Sequence, residues 1–367
     1  MPKSEFVINL GPKYLQTQGL LKLGTVCDAE KIKSIEPVIG YSHRGFEKFA
    51  EKLTYMQYLP VVAKISPLSC FMYQQTFCSA VEKLCNIEVP EKAEFIRVLL
   101  MEMNRLASHF FWFGSYLKDL GGLFQMNFCI EITDLIHDLF EKITGQRFPS
   151  DFFTFGGVKS DIPNEVLDEI SLLLNEILKR IKILNDLAVN NPSFVSRTAN
   201  VGILTKQTAL SYSITGVNLR ASGADVDFRK KQPYSAYDKF DFDVPLRKTG
   251  DSYDRFVLRT EEVLQSVKIV QQAVNKIKNT NSVFDLGINQ IELIPEKKMV
   301  SSFVESSNGL VICTIISDGT NKPQRVKWRT PSFYSVQILP LLLKNRYIAD
   351  IMTIVGSLDI NMSEADR

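Results

Sequence analysis

Apolar residues recur every three or four positions over several long stretches of the chain, a period that predicts helices. Ile96, Leu99, Met103, Leu106, Phe110, Phe113 and Leu117 share one such face and predict a long helix from about Glu91 to Asp119 whose apolar side must be buried. Two further helices follow at about Asn127 to Thr144 and Pro163 to Ala188, the second entered through Asp161 and Pro163 as cap and early-turn residues. After the Asn190-Asn191-Pro192 break, Thr205 caps a short helix through Ser213. Val263, Val267, Val270, Val274 and Ile277 then form the stripe of a last long helix from about Ser252 to Lys278. Two-residue alternation marks the strands. It is weak over Glu5 to Val26, around a loop at Gly11 to Gly19, and clear in the FDFDV of Tyr234 to Pro245. Val311 to Ile316 reads as a buried strand before an Asp318-Gly319 turn. Glu36 to Gly45 leads into a helix, a helical pattern sets in from Gln74, and the C-terminus returns as two short helices in SVQILPLLLKN and IADIMTIVGS.

The expected fold class is therefore α+β: a mainly helical bundle core with small antiparallel β elements near the N- and C-termini. No repeat, low-complexity run or long linker interrupts it. We expect one integrated unit, with an N-terminal β region and pocket-forming loops over 1–70, a helical core over 71–280 and a C-terminal β/helical region over 281–367.

Composition narrows the function classes. A chain of 367 residues, 45% hydrophobic and 23% charged, can bury a sizeable core. Lys+Arg 43 against Asp+Glu 41 leaves a formal charge of +2, so no charge excess points to nucleic acid. The six cysteines contain no C-x-x-C and are scattered through apolar surroundings, which reads as reduced thiols of a cytosol-like compartment and not as a metal or iron–sulfur cradle. No stretch offers the ~18 consecutive apolar residues of a membrane span, and Met1 to Leu10 has no signal-peptide core. The expectation is a chain neither secreted nor self-anchored.

Candidate chemistry is sparse. There is no G-x-G-x-x-G after a strand and no G-x-x-x-x-G-K-[ST], so no phosphate cradle is encoded and the chain is not expected to bind NADH itself. Of only three histidines, His109 and His137 fall on predicted helices, where packing is the ordinary role, whereas His43 stands in a loop beside Arg44 as a proton or charge device or as a cap. Asp119 sits at the C-terminal end of a helix, where the carbonyls already gather partial negative charge; the choice invites a functional reading beside that of a surface ion pair. Asn218 to Tyr234, NLRASGADVDFRKKQPY, packs Arg220, Arg229, Lys230 and Lys231 among Asp225 and Asp227. It reads as a solvated loop of compensating charges or as a fastening to another subunit.

The order of segments is more specific than any one motif. NLGP at Asn9, IGYSHRGFEK at Ile39, AVEKLCNIEVP at Ala80, IRVLLMEMNRLASHFFWFG at Ile96, TGQRF at Thr144 and GGVKSDIP at Gly156 are followed by LRASGADVDFRKKQPY, FDVPL, GDSYDRF, SDG, RTPSF and DIMTIVGSLDINMSEADR. Along almost its whole length the chain resembles the 49-kDa subunit family of respiratory complex I, the NADH:quinone oxidoreductase, which is related to the large subunit of nickel-iron hydrogenases. The resemblance implies a peripheral-arm subunit that encloses the quinone headgroup together with a partner carrying the terminal iron–sulfur cluster, beside the membrane-arm subunit at the quinone entrance. Flavin and clusters reside in partner subunits, quinone lies at the interface, and reduction is coupled to proton translocation. The hydrogenase cysteine pairs that hold nickel and iron are missing here, so no metal is expected. The wording around RTANVGILTKQTAL looks closer to bacterial relatives, placing the chain on the cytoplasmic face of the bacterial inner membrane; the alternative is the matrix face of the mitochondrial inner membrane.

Departures from the family pattern fall in the pocket. The family loop G-P-Q-H-P-x-x-H-G reads here Gly11-Pro12-Lys13-Tyr14-Leu15-Gln16-Thr17-Gln18-Gly19, with both histidines absent. The family's R-x-D-Y aligns with Lys64-Ile65-Ser66-Pro67, which removes the tyrosine hydroxyl, and a histidine near the terminal cluster corresponds to Pro149. The resemblance thus implies a quinone site of Tyr14, Gln18, Asp119, His43, Arg44 and Pro67, with Asp119, His43 and Tyr14 carrying proton chemistry and Lys64, Arg44 and Pro149 near the terminal cluster. The stretch from about Asn279 to Ser317 lacks a family-like P-x-G-E-x-Y. A donor other than NADH, such as ferredoxin, and a non-catalytic scaffold retained for arm assembly are both compatible with these substitutions.

Overall fold

A computed structural model describes residues 5–14, 17–288 and 293–367, without the side chain of Tyr14. The chain opens with β1 (Glu5–Leu10), a short ribbon of β2 (Lys13–Tyr14) and β3 (Gly19–Leu20), then β4 (Lys22–Asp28) and β5 (Lys31–Val38). The larger sheet is antiparallel in the order β1-β4-β5, with Val7 opposite Val26 and Thr25 opposite Ile35. Alternate residues of β4, Leu23, Thr25 and Cys27, are buried, the period of two expected of a strand with one covered face. Two short helices follow, α1 (Phe46–Ala50) and α2 (Tyr55–Val62). Thr54 and Gln57 close a reciprocal capping box that starts α2.

The bundle is built on α3 (Cys70–Cys85), α4 (Glu91–Asp119) and α5 (Leu123–Thr144), a ribbon of β6 (Phe153–Thr154) and β7 (Gly157–Val158), and α6 (Asn164–Leu184). Four short helices, α7 (Pro192–Thr198), α8 (Lys206–Ser211), α9 (Gly216–Ala221) and α10 (Phe228–Lys231), precede the long α11 (Ser252–Asn279), whose Asp251 cap accepts the Asp254 N–H at 2.7 Å. α4 lies between α5 and α11 and is buried on nearly every side from Phe95 to Leu117, which identifies it as the axis of the fold. Each of its fully buried large apolar side chains contributes roughly 1.5–3 kcal/mol. The chain ends with the antiparallel sheet β8 (Met299–Ser306), β9 (Gly309–Ser317) and β10 (Pro323–Arg329), then α12 (Pro331–Gln337), α13 (Leu339–Leu343), α14 (Asp350–Ser357) and α15 (Met362–Ala365). One apolar cluster fills the bundle and the last sheet; a second joins Leu23 and Ile35 of the first sheet, with Leu21 just before β4, to Leu339, Ile351 and Ile354 near the C-terminus. N- and C-terminal regions are thus packed against each other. All six cysteines are free thiols, five of them buried.

Three expectations need adjustment. The helix expected from Asn127 begins at Leu123, and the one expected to run to Ala188 changes to a π turn over Asn185–Val189. Tyr234 to Pro245 is not a strand: the segment makes a 3-10 turn at Tyr237–Lys239 and continues extended. Its alternation is genuine, with Phe240 and Phe242 buried and Asp241 and Asp243 exposed. The backbone N–H groups of Asp241 and Asp243, however, donate to the side chains of Gln272 and Gln265, both at 2.9 Å, so the segment is hydrogen-bonded along a helix and has no strand partner there.

Candidate functional site

The last nine residues gather four of the eight implicated positions, Gln18, His43, Arg44 and, through Arg44, Lys64. Asp366 accepts the backbone N–H of Gly40 with one carboxylate oxygen and that of Ser42 with the other, both at 2.8 Å, and this fixes the loop that carries His43. The Asp366 carbonyl lies 2.6 Å from His43 Nδ1. A carbonyl only accepts, so Nδ1 carries the proton and Nε2 of the neutral ring is left as an acceptor toward solvent. His43 borders a cleft of about 340 Å³ with Arg325, Lys327, Phe333 and Arg367. Arg44 acts as a clasp: Nη1 donates to the Lys64 carbonyl at 3.0 Å and Nη2 to Ser363, at 3.0 Å to its carbonyl and 2.6 Å to its hydroxyl. Ser66 receives a 2.9 Å hydrogen bond from Asn361, the residue that caps α15.

Gln18 joins the same tail. Its Nε2 donates to Asp359 Oδ1 at 3.3 Å, and the neighbouring Gly19 lies so close that an added Cβ would stand 2.7 Å from the Met362 Cβ. Gly19 has φ +151°, so both its backbone and its surroundings demand glycine. Leu15 and Gln16 lie outside the described residues, and of Tyr14 only the backbone is described, paired with Gly19.

Lys64 and Pro67 are exposed, Pro67 opening the 3-10 turn that enters α3. Pro149 is buried and its carbonyl accepts from Gln74 of α3 at 3.1 Å. Asp119 is held by a different element: it is half-buried as the last residue of α4. It follows Trp112 by two helical turns, and Arg259 lies 4.1 Å over the Trp112 ring. Arg259 also faces Asp359 at 3.8 Å, whereas Asp119 stands about 10 Å farther along α4 than Trp112.

The charged segment from Asn218 to Tyr234 does something neither sequence reading anticipated. Arg220, Asp227 and Arg229 are fully buried inside the fold, while only Asp225 and Lys231 form an exposed pair. Arg229 holds Asp227 at 2.7 and 3.1 Å and reaches Glu102 and Glu262; Arg220 holds Glu262 at 2.5 Å and Glu305 at 2.8 Å. His109 Nε2 meets Glu262 at 2.8 Å, and Tyr237 and Ser266 donate to Glu102. His137, by contrast, packs against Phe148. Burial opposes charge throughout the cluster. The arginines Arg220 and Arg229 nevertheless hold the Asp227 carboxyl down at about 2 and Glu262 well below the usual range. Glu305 is raised by burial, and His109 is lowered by the same cause. Four carboxylates, those of Glu102, Asp227, Glu262 and Glu305, thus face Arg105, Arg220 and Arg229.

The profile of the family described as the respiratory-chain NADH dehydrogenase 49 Kd subunit matches residues 119–303 and 283–367. A protein of Bacillus mycoides, named as a subunit of NADH-quinone oxidoreductase, is 39% identical over 364 residues, covering 99% of this chain and 98% of the relative. The chain belongs to this family. A Geobacillus thermodenitrificans relative of the same name is 40% identical over 362 residues, again across 99% of the chain, and one from Bacillus anthracis is 39% identical. The expected family and α+β class stand, as does the reading of the chain as a subunit of a larger oxidoreductase, with other subunits as partners and the redox cofactors among them. Among the described residues no group of three or more His, Cys, Asp and Glu is placed to hold a metal, and no helix is long and apolar enough to cross a membrane.

Sequence reasoning missed Asp359, Asp366 and Arg259 as site-builders, and the buried charge cluster. The one available signal was the acidic tail DINMSEADR, whose two aspartates and one glutamate are all buried.

Proposed function

We infer that this chain is the peripheral-arm subunit of an NADH:quinone oxidoreductase and forms a quinone pocket with the partner that carries the terminal iron–sulfur cluster. It works peripherally at the cytoplasmic face of a bacterial inner membrane, next to the membrane-arm subunit at the quinone entrance. The observation that carries this reading is the tail. It draws Gln18, the His43–Arg44 pair and the Lys64–Ser66 turn, from three separate loops, into one hydrogen-bonded region in a chain that matches its relatives from end to end.

Quinone reduction takes two electrons and two protons, and the clusters of the partner supply the electrons. This chain supplies hydrogen bonds and proton-exchanging groups. His43, with Nε2 free to accept, exchanges protons at the pocket. The Gln18 amide donates to a quinone oxygen where the family has a histidine, Tyr14 offers a phenol, and Asp119 offers a carboxylate. Pro67 offers no donor, so the second quinone oxygen is bound differently from the family pattern. Proton translocation follows reduction, as the family resemblance implies.

The test is purification of the complex through a tag on this chain, followed by NADH- and ferredoxin-driven reduction of a short-chain quinone. Inhibitor-sensitive turnover co-purifying with the chain is the expected result. An assembled complex that lacks quinone turnover with either donor would favour the second reading, a scaffold kept for arm assembly, which the replacement of both loop histidines and the tyrosine motivates.

A further inference from the structure

Gln18 and Asp359 are separated by 341 positions, and their side chains are hydrogen-bonded at 3.3 Å. Both have left-handed backbones, with φ +43° and +53°. Non-glycine residues adopt this region at a cost, and two such residues holding each other mark a contact that the surrounding fold enforces. The backbone of Asp359 is fixed on both sides: its N–H donates to Gly356 at 3.2 Å, and its carbonyl accepts from Asn308 at 2.7 Å. Its side chain is not fixed in the same way. Oδ1 is tied to Gln18, whereas Oδ2 is buried without a hydrogen bond. The nearest cation is Arg259, with Nη2 3.8 Å from Oδ2, and Arg259 Nε is also buried without a hydrogen-bond partner. A charge-assisted pair closes to ~2.7–2.9 Å, so this buried carboxylate and guanidinium stand about 1 Å short of contact while the loop holds the other oxygen.

We propose that Asp359 is a positioning residue for the Gln18 loop: when ionised, with Oδ2 facing Arg259, its Oδ1 keeps the Gln18 amide on the tail, and when neutral it is a weaker acceptor and releases that amide toward the pocket. The inference rests on the quinone-pocket reading for its functional consequence, and on the contact itself for its structural one. The groups that face Asp359 set the balance between the two positions. Arg259, from α11, favours the ionised form, Glu364, from α15, disfavours it, and Gln18 and Asn308 are neutral amides. Burial dominates and pushes the carboxyl up to about 6, within reach of working pH. Arg259 is braced for the role by Ser357, whose carbonyl it bonds at 3.2 Å, and by the Trp112 ring beneath it.

Two readouts on the purified complex test the proposal. The first is KM and kcat for a short-chain quinone between pH 5.5 and 8. In the wild type KM should change about three- to tenfold across this range, the ratio corresponding to one net hydrogen bond, with kcat moving less. Asp359→Asn preserves the fold, because asparagine tolerates the left-handed backbone, and it should give a KM independent of pH. Gln18→Ala should do the same, and the double variant should add nothing further. The second readout is hydrogen exchange of the amides at 18–22. Exchange should slow, relative to its intrinsic pH dependence, as Asp359 ionises in the wild type and not in Asp359→Asn. Retention of the wild-type pH profile and exchange step in Asp359→Asn overturns the proposal, as do independent, multiplicative effects of the two substitutions. If Asp359→Asn fails to assemble, Gln18→Ala decides alone: a flat profile supports the proposal and an unchanged one overturns it. If the wild-type complex reduces no quinone, the pocket reading fails, and the exchange step still decides the Asp359 switch.

Discussion

Arg229 and Lys231 stand two residues apart in one charged segment and predict opposite outcomes on truncation. Lys231 pairs with Asp225 at 3.1 Å with both side chains more than half exposed, at 54% and 57%. A pair of this kind is worth ~0–1 kcal/mol, because water and salt screen it and two long side chains lose freedom. Arg229 is fully buried and is shared among Asp227, Glu102 and Glu262. Arg229→Ala strands Asp227 with only Arg220 at 3.7 Å and removes one of the two arginines serving Glu102. Removing one partner of a buried pair costs ~3–5 kcal/mol, most of it the uncompensated charge. At ~2.1 cal/mol/K per residue, the 367 residues have an unfolding entropy of roughly 0.8 kcal/mol/K, so a loss of ~4 kcal/mol lowers the Tm by about 5 °C. The assay is thermal proteolysis of the purified complex, with this chain followed by a specific antibody. Arg229→Ala should lose protection about 5 °C early while Lys231→Ala stays within about 1 °C of wild type. Equal shifts for the two variants would refute the claim that the buried cluster holds the core together.

Other outcomes follow from the same geometry. Asp227 and Glu262 are held below their unfolded values, so their stabilisation is complete above ~pH 4 and is lost as pH falls toward their folded values; Asp227→Asn should flatten the acid limb of a stability–pH curve. Asp359 and Glu305 have the opposite sign, because their raised values favour the folded state at low pH, and for Asp359 that preference is lost as pH rises through about 6. Gly19→Ala forces a Cβ against Met362 in a disfavoured backbone, and should lower quinone turnover severalfold with little loss of assembled complex. Arg44→Lys keeps the charge but not the two-armed clasp across Lys64 and Ser363, and should raise KM for quinone more than it lowers kcat.

The long helices were legible because a 3.6-residue apolar period has few alternative readings; α4, α6 and α11 fall close to where their stripes put them. Alternation is a weaker guide. FDFDV buries its phenylalanines as a strand would, yet its N–H groups are satisfied by glutamines of α11, and no local pattern encodes which partner a backbone N–H will find. The buried cluster was illegible for a related reason. Arg220, Asp227 and Arg229 look like any solvated charge run until Glu102, Glu262 and Glu305, from three distant elements, converge on them. The candidate site was named through resemblance and not through spacing, and its organising element, the tail with Asp359 and Asp366, carries no local signal beyond its acidity.

Whether this chain forms a working quinone pocket is decided by inhibitor-sensitive NADH:quinone reduction in the purified complex carrying Asp119→Asn or Tyr14→Phe. A loss of turnover of about tenfold or more in Asp119→Asn, with the complex fully assembled, is the predicted result. Full turnover in both variants would contradict the pocket assignment.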